Sequence, residues 1–220
     1  MSLHAKARTL VLRTPRSHIA IATLLLAPLL PAAARGQAAS SRTWGFVAAR
    51  IDSRFAHYVY TGYGYAAIFA VGALVDNPRT GYTEQILGAG VRLPLHAHDT
   101  QFAVIAICNA SDARYVQLYY LPSLTIGRLA AGATFEAYVP LDTVGISQFA
   151  ITSLTVTTHV RGPLSAGFAY ELSAAQRART AHGVGGAVRL GLPHAELGAD
   201  AMHGLGHAPA HLRLSFRAFY

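Results

Sequence analysis

Ten charged side chains sit where alternation along an extended chain would gather them on one face: Glu84, Arg92, Arg128, Glu136, Glu171, Arg189, Glu196, Asp200, Arg213 and Arg217. Successive side chains of a β-strand point to opposite faces, so residues an even number apart share a side. Tyr115, Gln117, Tyr119 and Tyr138 fall on the same side by this parity. Guanidinium and carboxylate groups brought together inside a closed wall can cross-link it through charge-assisted hydrogen bonds. They can also line a narrow conduit or a ligand pocket. Desolvation opposes the attraction in such pairs, so they penalise the loss of one partner more than they add net stability.

Other reactive residue types yield weaker patterns. His203, His207 and His211 are spaced by four, as metal ligands on one helix face are, but Gly204, Gly206 and Pro209 lie among them and break helical geometry. His96 and His98 flank a turn beside Asp99. These histidines read as solvated loop residues, and neither a metal nor a cofactor is expected. A hydrolase would need a nucleophile and a base that meet in space, but Ser153 and His159 share a strand with opposite parity, and Ser165 faces inward with no histidine in fixed relation to it. No catalytic residue is assigned, and an enzymatic role is the less favoured reading. Cys108 is the single cysteine and reads as a small apolar residue. Residues 76–82 form a turn with Pro78 and Gly81 in turn positions.

The elements that must position the charges follow from period-two alternation. From Glu84 to Leu93, Leu87, Ala89, Val91 and Leu93 oppose Glu84, Gly88, Gly90 and Arg92. Arg128 to Val139, Leu164 to Leu172 and Val184 to Leu192 repeat the pattern. Further strands are expected at 64–75, 100–108, 114–125, 148–159, 195–204 and 210–220. Residues 64–75 and 100–108 are apolar on both faces, and a phase shift between Ile151 and Leu154 predicts a bulge. These make about ten strands, with eight or twelve as alternatives; strands of this length cross a bilayer when tilted. The connections at 94–99, 126–127, 160–163 and 193–194 are shorter on average than those between them, as strand pairs with both ends on one side require.

Composition agrees. Hydrophobic residues make up 52% and charged residues 13%, with a mean hydropathy of +0.32. Downstream of residue 40 no apolar run reaches the roughly 18 residues of a spanning helix. A closed barrel is the other backbone that satisfies its own hydrogen bonds in lipid. The formal charge of +8 is misleading, because Lys6, Arg8, Arg13, Arg16 and Arg35 precede residue 38 with no acid among them. Removing these five from eighteen leaves thirteen basic residues against ten acidic. The remaining arginines are scattered, so nucleic acid is not an expected partner.

The N-terminus reads as a secretory signal peptide over 1–38. It has a basic stretch, an apolar run from Ile19 to Leu30, and small residues that allow cleavage after Ala34 or Ala38. In residues 42–59, Trp44, Val47, Ala48, Ile51, Phe55 and Tyr58 recur at three- and four-residue spacing. This predicts a short amphipathic helix within an N-terminal segment, 39–63, ahead of a barrel at 64–220; a first pair of short strands is the competing reading. Trp44 would suit a membrane interface. Tyr58, Tyr60, Tyr63 and Tyr65 read as part of an aromatic girdle.

The last ten residues alternate to the final position, with Leu212, Leu214, Phe216 and Ala218 on one face and Tyr220 closing the chain. A final strand ending on an aromatic resembles the assembly signal of Gram-negative outer-membrane β-barrels. That resemblance implies an exported all-β antiparallel transmembrane barrel in the outer membrane. Its partners would be outer-membrane lipid and the barrel-assembly machinery, the latter through Leu212, Leu214, Phe216, Ala218 and Tyr220. Its function would be structural or that of a narrow pore with an Arg/Glu-lined lumen. The rival functions are an outer-membrane hydrolase acting on lipid or peptide and a periplasmic lipocalin-like binder.

Overall fold

A computed structural model describes residues 43–54, 56–96, 99–176, 178–206 and 208–220, side chains at 94–100 excepted. The expected signal peptide lies outside these residues, as do His207 and the side chains of His96, His98 and Asp99. Twelve strands are present: β1 (Thr43–Asp52), β2 (His57–Tyr65), β3 (Ile68–Asn77), β4 (Tyr82–His96), β5 (Asp99–Ala110), β6 (Ala113–Ile126), β7 (Leu129–Pro140), β8 (Gln148–Arg161), β9 (Leu164–Ala175), β10 (Ala181–Leu192), β11 (Ala195–Leu205) and β12 (His211–Phe219). Each pairs antiparallel with its neighbours in sequence, and β1 pairs with β12, from Phe46 opposite Phe219 to Asp52 opposite Arg213. Closure leaves no strand edge unpaired, the condition for a sheet in hydrocarbon.

Two expectations are corrected here. The strand number is twelve rather than ten, and residues 43–65 form the β1–β2 hairpin rather than a helix. Among the described residues there is no helix. The two differences have one cause. In β1, Trp44 and Phe46 point inward while Val47 and Ile51 point outward, so both faces carry apolar residues and the spacing imitates a helix. A helix there would also leave β12 without the partner that closes the sheet. The barrel consequently starts at Thr43 rather than residue 64.

The wall is inverted relative to a soluble protein. On β4, Leu87 is 73% exposed while Glu84, three residues earlier on the other face, is 4% exposed. Ile105, Ile107, Leu118, Val188, Leu212 and Leu214 are likewise exposed, whereas Gln117, Glu136, Asp200 and Arg213 are buried. The interior is not polar throughout, however. Phe69, Ala73, Ile86, Val104 and Ala106 form an inward apolar sector against which Trp44 and Phe102 pack. This explains why 64–75 and 100–108 are apolar on both faces: one face is exposed on the outside of the wall and the other meets packed side chains.

Thr43 and Tyr220, the first and last described residues, share one end of the barrel with two-residue turns at 66–67, 127–128, 162–163 and 193–194. Gly127 (φ 59°) and Gly162 (φ 54°) supply the left-handed backbone that tight hairpins require. Connections at the opposite, distal end run longer, at 53–56, 78–81, 141–147, 176–180 and 206–210, with 111–112 as the short exception.

Candidate functional site in the barrel interior

The expected bulge in β8 organises the polar interior. Thr134 of β7 pairs with Ser153, but Phe135 pairs with Ile151, so Thr152 is the extra residue. An extra residue leaves the ladder locally unpaired and re-aims its side chain. Thr152 uses both of its oxygens in the lumen. Its Oγ1 donates to Glu136 Oε1 at 2.8 Å, and its carbonyl accepts from Arg213 Nη1 at 2.8 Å.

Around Glu136, Tyr138 donates its hydroxyl at 3.0 Å and Gln117 its amide at 3.4 Å, both to Oε2. On the same wall, Glu84 accepts from Tyr82 at 3.1 Å and from the Cys108 thiol at 3.0 Å. Cys108 is fully buried there, facing a carboxylate rather than lipid. Arg50, on β1, sits 3.9 Å over the ring of Tyr58, which stacks on Tyr60. A cation held over an aromatic face is drawn by the ring quadrupole.

A second cluster occupies the wall from β9 to β12. Asp200 accepts from Arg189 at 2.6 Å and from Arg213 Nε at 2.9 Å. Glu171 lies 3.5 Å from Arg213, 3.3 Å from His211 and 3.8 Å from Arg54. Arg54, in the β1–β2 turn, also closes on Asp52 at 2.8 Å.

Glu84, Glu136, Glu171, Arg189, Asp200 and Arg213 therefore lie in these two clusters, which meet at Thr152. The other four residues expected beside them do not. Arg92 lies toward the chain-end rim, 5.3 Å over the ring of Trp44. Glu196 and Arg217 are register partners near the same rim, with Arg217 6.0 Å over Phe219. Arg128 is exposed in the β6–β7 turn. Arg50, Asp52 and Arg54 are in the network but were hidden by the helical reading of 42–59. The phase shift in β8 pointed to a bulge but not to Thr152 as its bonding residue.

The tyrosines divide by parity. Tyr63 and Tyr65 face outward and are exposed, whereas Tyr58 and Tyr60 face the lumen. Trp44 is not an interfacial anchor: its ring packs on Phe69 and Phe102, and its Nε1 donates to the Ala66 carbonyl at 2.8 Å. His159 and Ser165 are register partners on β8 and β9, with no hydrogen bond between their side chains.

A cavity of about 530 Å³ occupies the distal half of the lumen. Residues from β1 to β4 and from β6 to β9 line it, among them Arg50, Tyr60, Glu84, Tyr119 and Glu136.

No protein-family model and no curated protein matches the sequence. The fold is similar to that of solved structures. It aligns with the KdgM porin at a TM-score of 0.56 and 7% identity, over 79% of this chain and 98% of that one. The KdgM porin in complex with disordered oligogalacturonate aligns at 0.57 and 6%, over 80% and 98%. The NanC porin aligns at 0.54 and 12%, over 80% and 99%. The fold is that of the outer-membrane β-barrels. At these identities the likeness is one of fold alone. It agrees with the class implied by the C-terminal strand, and the corrected strand count comes from the structure itself.

Proposed function

We propose that this protein is an integral outer-membrane barrel acting as a narrow pore for small polar solutes, with its distal end facing outward. The observation that carries the reading is the distal cavity. It lies inside a closed wall, is lined from eight strands, and at about 530 Å³ falls within the roughly 300–1,000 Å³ typical of small-molecule sites. Tyrosine hydroxyls, two carboxylates and Arg50 give a solute hydrogen-bonding partners in place of water. Below it, Arg213 reaches from β12 to Thr152 on β8 and narrows the passage. Toward the chain-end rim, Trp44, Phe69 and Phe102 narrow it further. The lumen on this reading passes small molecules slowly and excludes large ones. The outward band of Leu, Ile and Val supports placement in a bilayer, and the final strand supports delivery by the barrel-assembly machinery.

The test is conductance in planar bilayers. Purified, heat-modifiable protein should give small discrete steps, and Arg213→Ala should enlarge them. If neither protein conducts, the barrel is a closed structural element and the pore reading fails.

A further inference from the structure

The distal connection 141–147 differs from its neighbours in composition. It carries Leu141, Val144 and Ile146, whereas no other distal connection contains a Leu, Ile or Val. Leu141 is 53% exposed and Val144 is 68% exposed. Loops at an aqueous mouth are ordinarily polar, and clustered exposed apolar residues mark an interaction surface.

The loop is ordered from within. The Asp142 carboxylate accepts from the backbone N–H groups of Arg114 at 2.8 Å, Gly145 at 2.9 Å and Val144 at 3.2 Å. The Leu141 N–H donates to the Arg114 carbonyl at 2.8 Å, fastening the loop base to β6. A Cβ at Gly145 would meet Pro140 and the Tyr115 ring, so Gly145 packs tightly against the barrel. Leu141 and Val144 are thus displayed rather than tucked in.

What they meet follows from continuity. Directly below, Val139, Phe149 and Leu118 are exposed on the outward face of β6 to β8. Leu141 extends that column by one outward position. On β2 and β10 the outermost outward positions are instead His57 and His182, the latter bonded to Tyr170 of β9 at 2.8 Å, while on β11 the exposed Leu205 follows His203 but lies within the strand. On the β7–β8 side the apolar column therefore continues past the strand end into the connection itself.

We propose that the 141–147 loop is a lipid anchor, with Leu141 and Val144 inserted among acyl chains of the leaflet at the distal end. The proposal rests on the barrel spanning a bilayer. The occupant is lipid because the surface is an extension of the lipid-facing band and the loop is already ordered to present it.

The test uses the full chain in a Cys108→Ala background, reconstituted in phosphatidylcholine–phosphatidylglycerol vesicles. A nitroxide is attached at Val144→Cys, at Leu118→Cys on the outward wall, or at Thr80→Cys in the β3–β4 turn. Collisions with oxygen, which partitions into lipid, are compared with collisions with a water-soluble nickel chelate. The Val144 label should match Leu118, with an oxygen-to-nickel ratio several-fold above that of Thr80. A Val144 label as nickel-accessible as Thr80 overturns the anchor. So does spin–spin broadening at Val144 that disappears on dilution with unlabelled protein, which would mean a second copy covers the loop. If Leu118 is also nickel-accessible, the membrane-spanning reading itself has failed. Leu141→Cys provides an independent site should Val144→Cys not give heat-modifiable protein.

Discussion

Arg213 and Thr152 are joined across the lumen, the guanidinium of β12 donating at 2.8 Å to a carbonyl four strands away around the wall. The carbonyl is available because the β8 bulge sets Thr152 outside the β7–β8 pairing. One irregular residue thus couples the carboxylate wall at Glu136 to the arginine cluster.

The first prediction concerns Arg213 and Asp200. Breaking a buried ion pair from one side typically costs about 3–5 kcal/mol, because the abandoned charge stays buried. Asp200 keeps Arg189 when Arg213 is removed, so Arg213→Ala should fall near the lower end of that range. Asp200→Ala takes the carboxylate from two arginines at once, leaving Arg213 with Glu171 and the Thr152 carbonyl and Arg189 with backbone carbonyls, and should cost more. The double variant should lose less than the sum of the singles. Urea-dependent unfolding in detergent, followed by heat-modifiable migration, gives all three values, and strict additivity would show that the pair is not coupled.

A second prediction uses two adjacent glycines. A Cβ at Gly185, on the lumen side of β10, would collide with the main-chain carbonyl of Ala201. At Gly186, facing outward, the nearest atom is the Gly167 carbonyl at 3.9 Å, an ordinary contact. Gly185→Ala should destabilise by about 1–3 kcal/mol, the usual cost of forced overpacking. Gly186→Ala should be close to neutral. The same unfolding assay compares them, and equal effects would contradict the assigned faces.

These contrasts also show where the sequence was legible. Strands such as β4, β7, β9 and β10 alternate cleanly because Glu84, Glu136, Glu171 and Arg189 meet polar partners inside while leucines and valines are exposed outside. Period two then reports the wall directly. β1, β3 and β5 lose that signal because Trp44, Phe69 and Phe102 pack against one another in the lumen, making their inner face as apolar as the outer. Parity could put Glu171 and Arg213 on one side. It could not reveal that Arg54 or Thr152 would complete the cluster, since those contacts depend on how the closed sheet brings distant strands face to face. Nor could parity separate Glu196 and Arg217 from the cluster, because height along the barrel is set by register.

The third prediction is a pH dependence confined to the distal loop. Backbone N–H groups of Arg114, Gly145 and Val144, with the nearby Arg114 charge, hold the Asp142 carboxyl below the usual Asp range. A lowered folded-state pKa means that the ordering contribution is fully present above the ordinary value of about 3.9. It is lost as pH falls through the lowered value. A nitroxide at Val144→Cys should therefore stay restrained from neutral pH down to about 4 and become mobile on further acidification. With Asp142→Ala the label should be mobile throughout. A restrained label in that variant at pH 7 would mean something other than the carboxylate orders the loop.

The last prediction concerns the seam where the sheet closes. Tyr220 exchanges two backbone hydrogen bonds with Gly45, at 2.8 and 3.1 Å, and its ring covers the glycine. A side chain at Gly45 would collide with that ring, so this glycine and the terminal aromatic form a matched pair. Truncation after Ala218 removes Phe219 and Tyr220, and with them these two seam bonds and the Phe46–Phe219 register pair. The remaining β1–β12 pairs still define the barrel, so the truncated chain should reach a heat-modifiable fold in detergent, with a lowered unfolding midpoint. In cells the expected loss is larger on the proposal that the assembly machinery reads this strand by its aromatic end. Tyr220→Phe, which keeps both backbone bonds and the ring, should restore insertion, whereas Tyr220→Ala should not. Equal membrane yields for all three variants and the parent would remove any role for the terminal aromatic in assembly, leaving Tyr220 as a cover for Gly45.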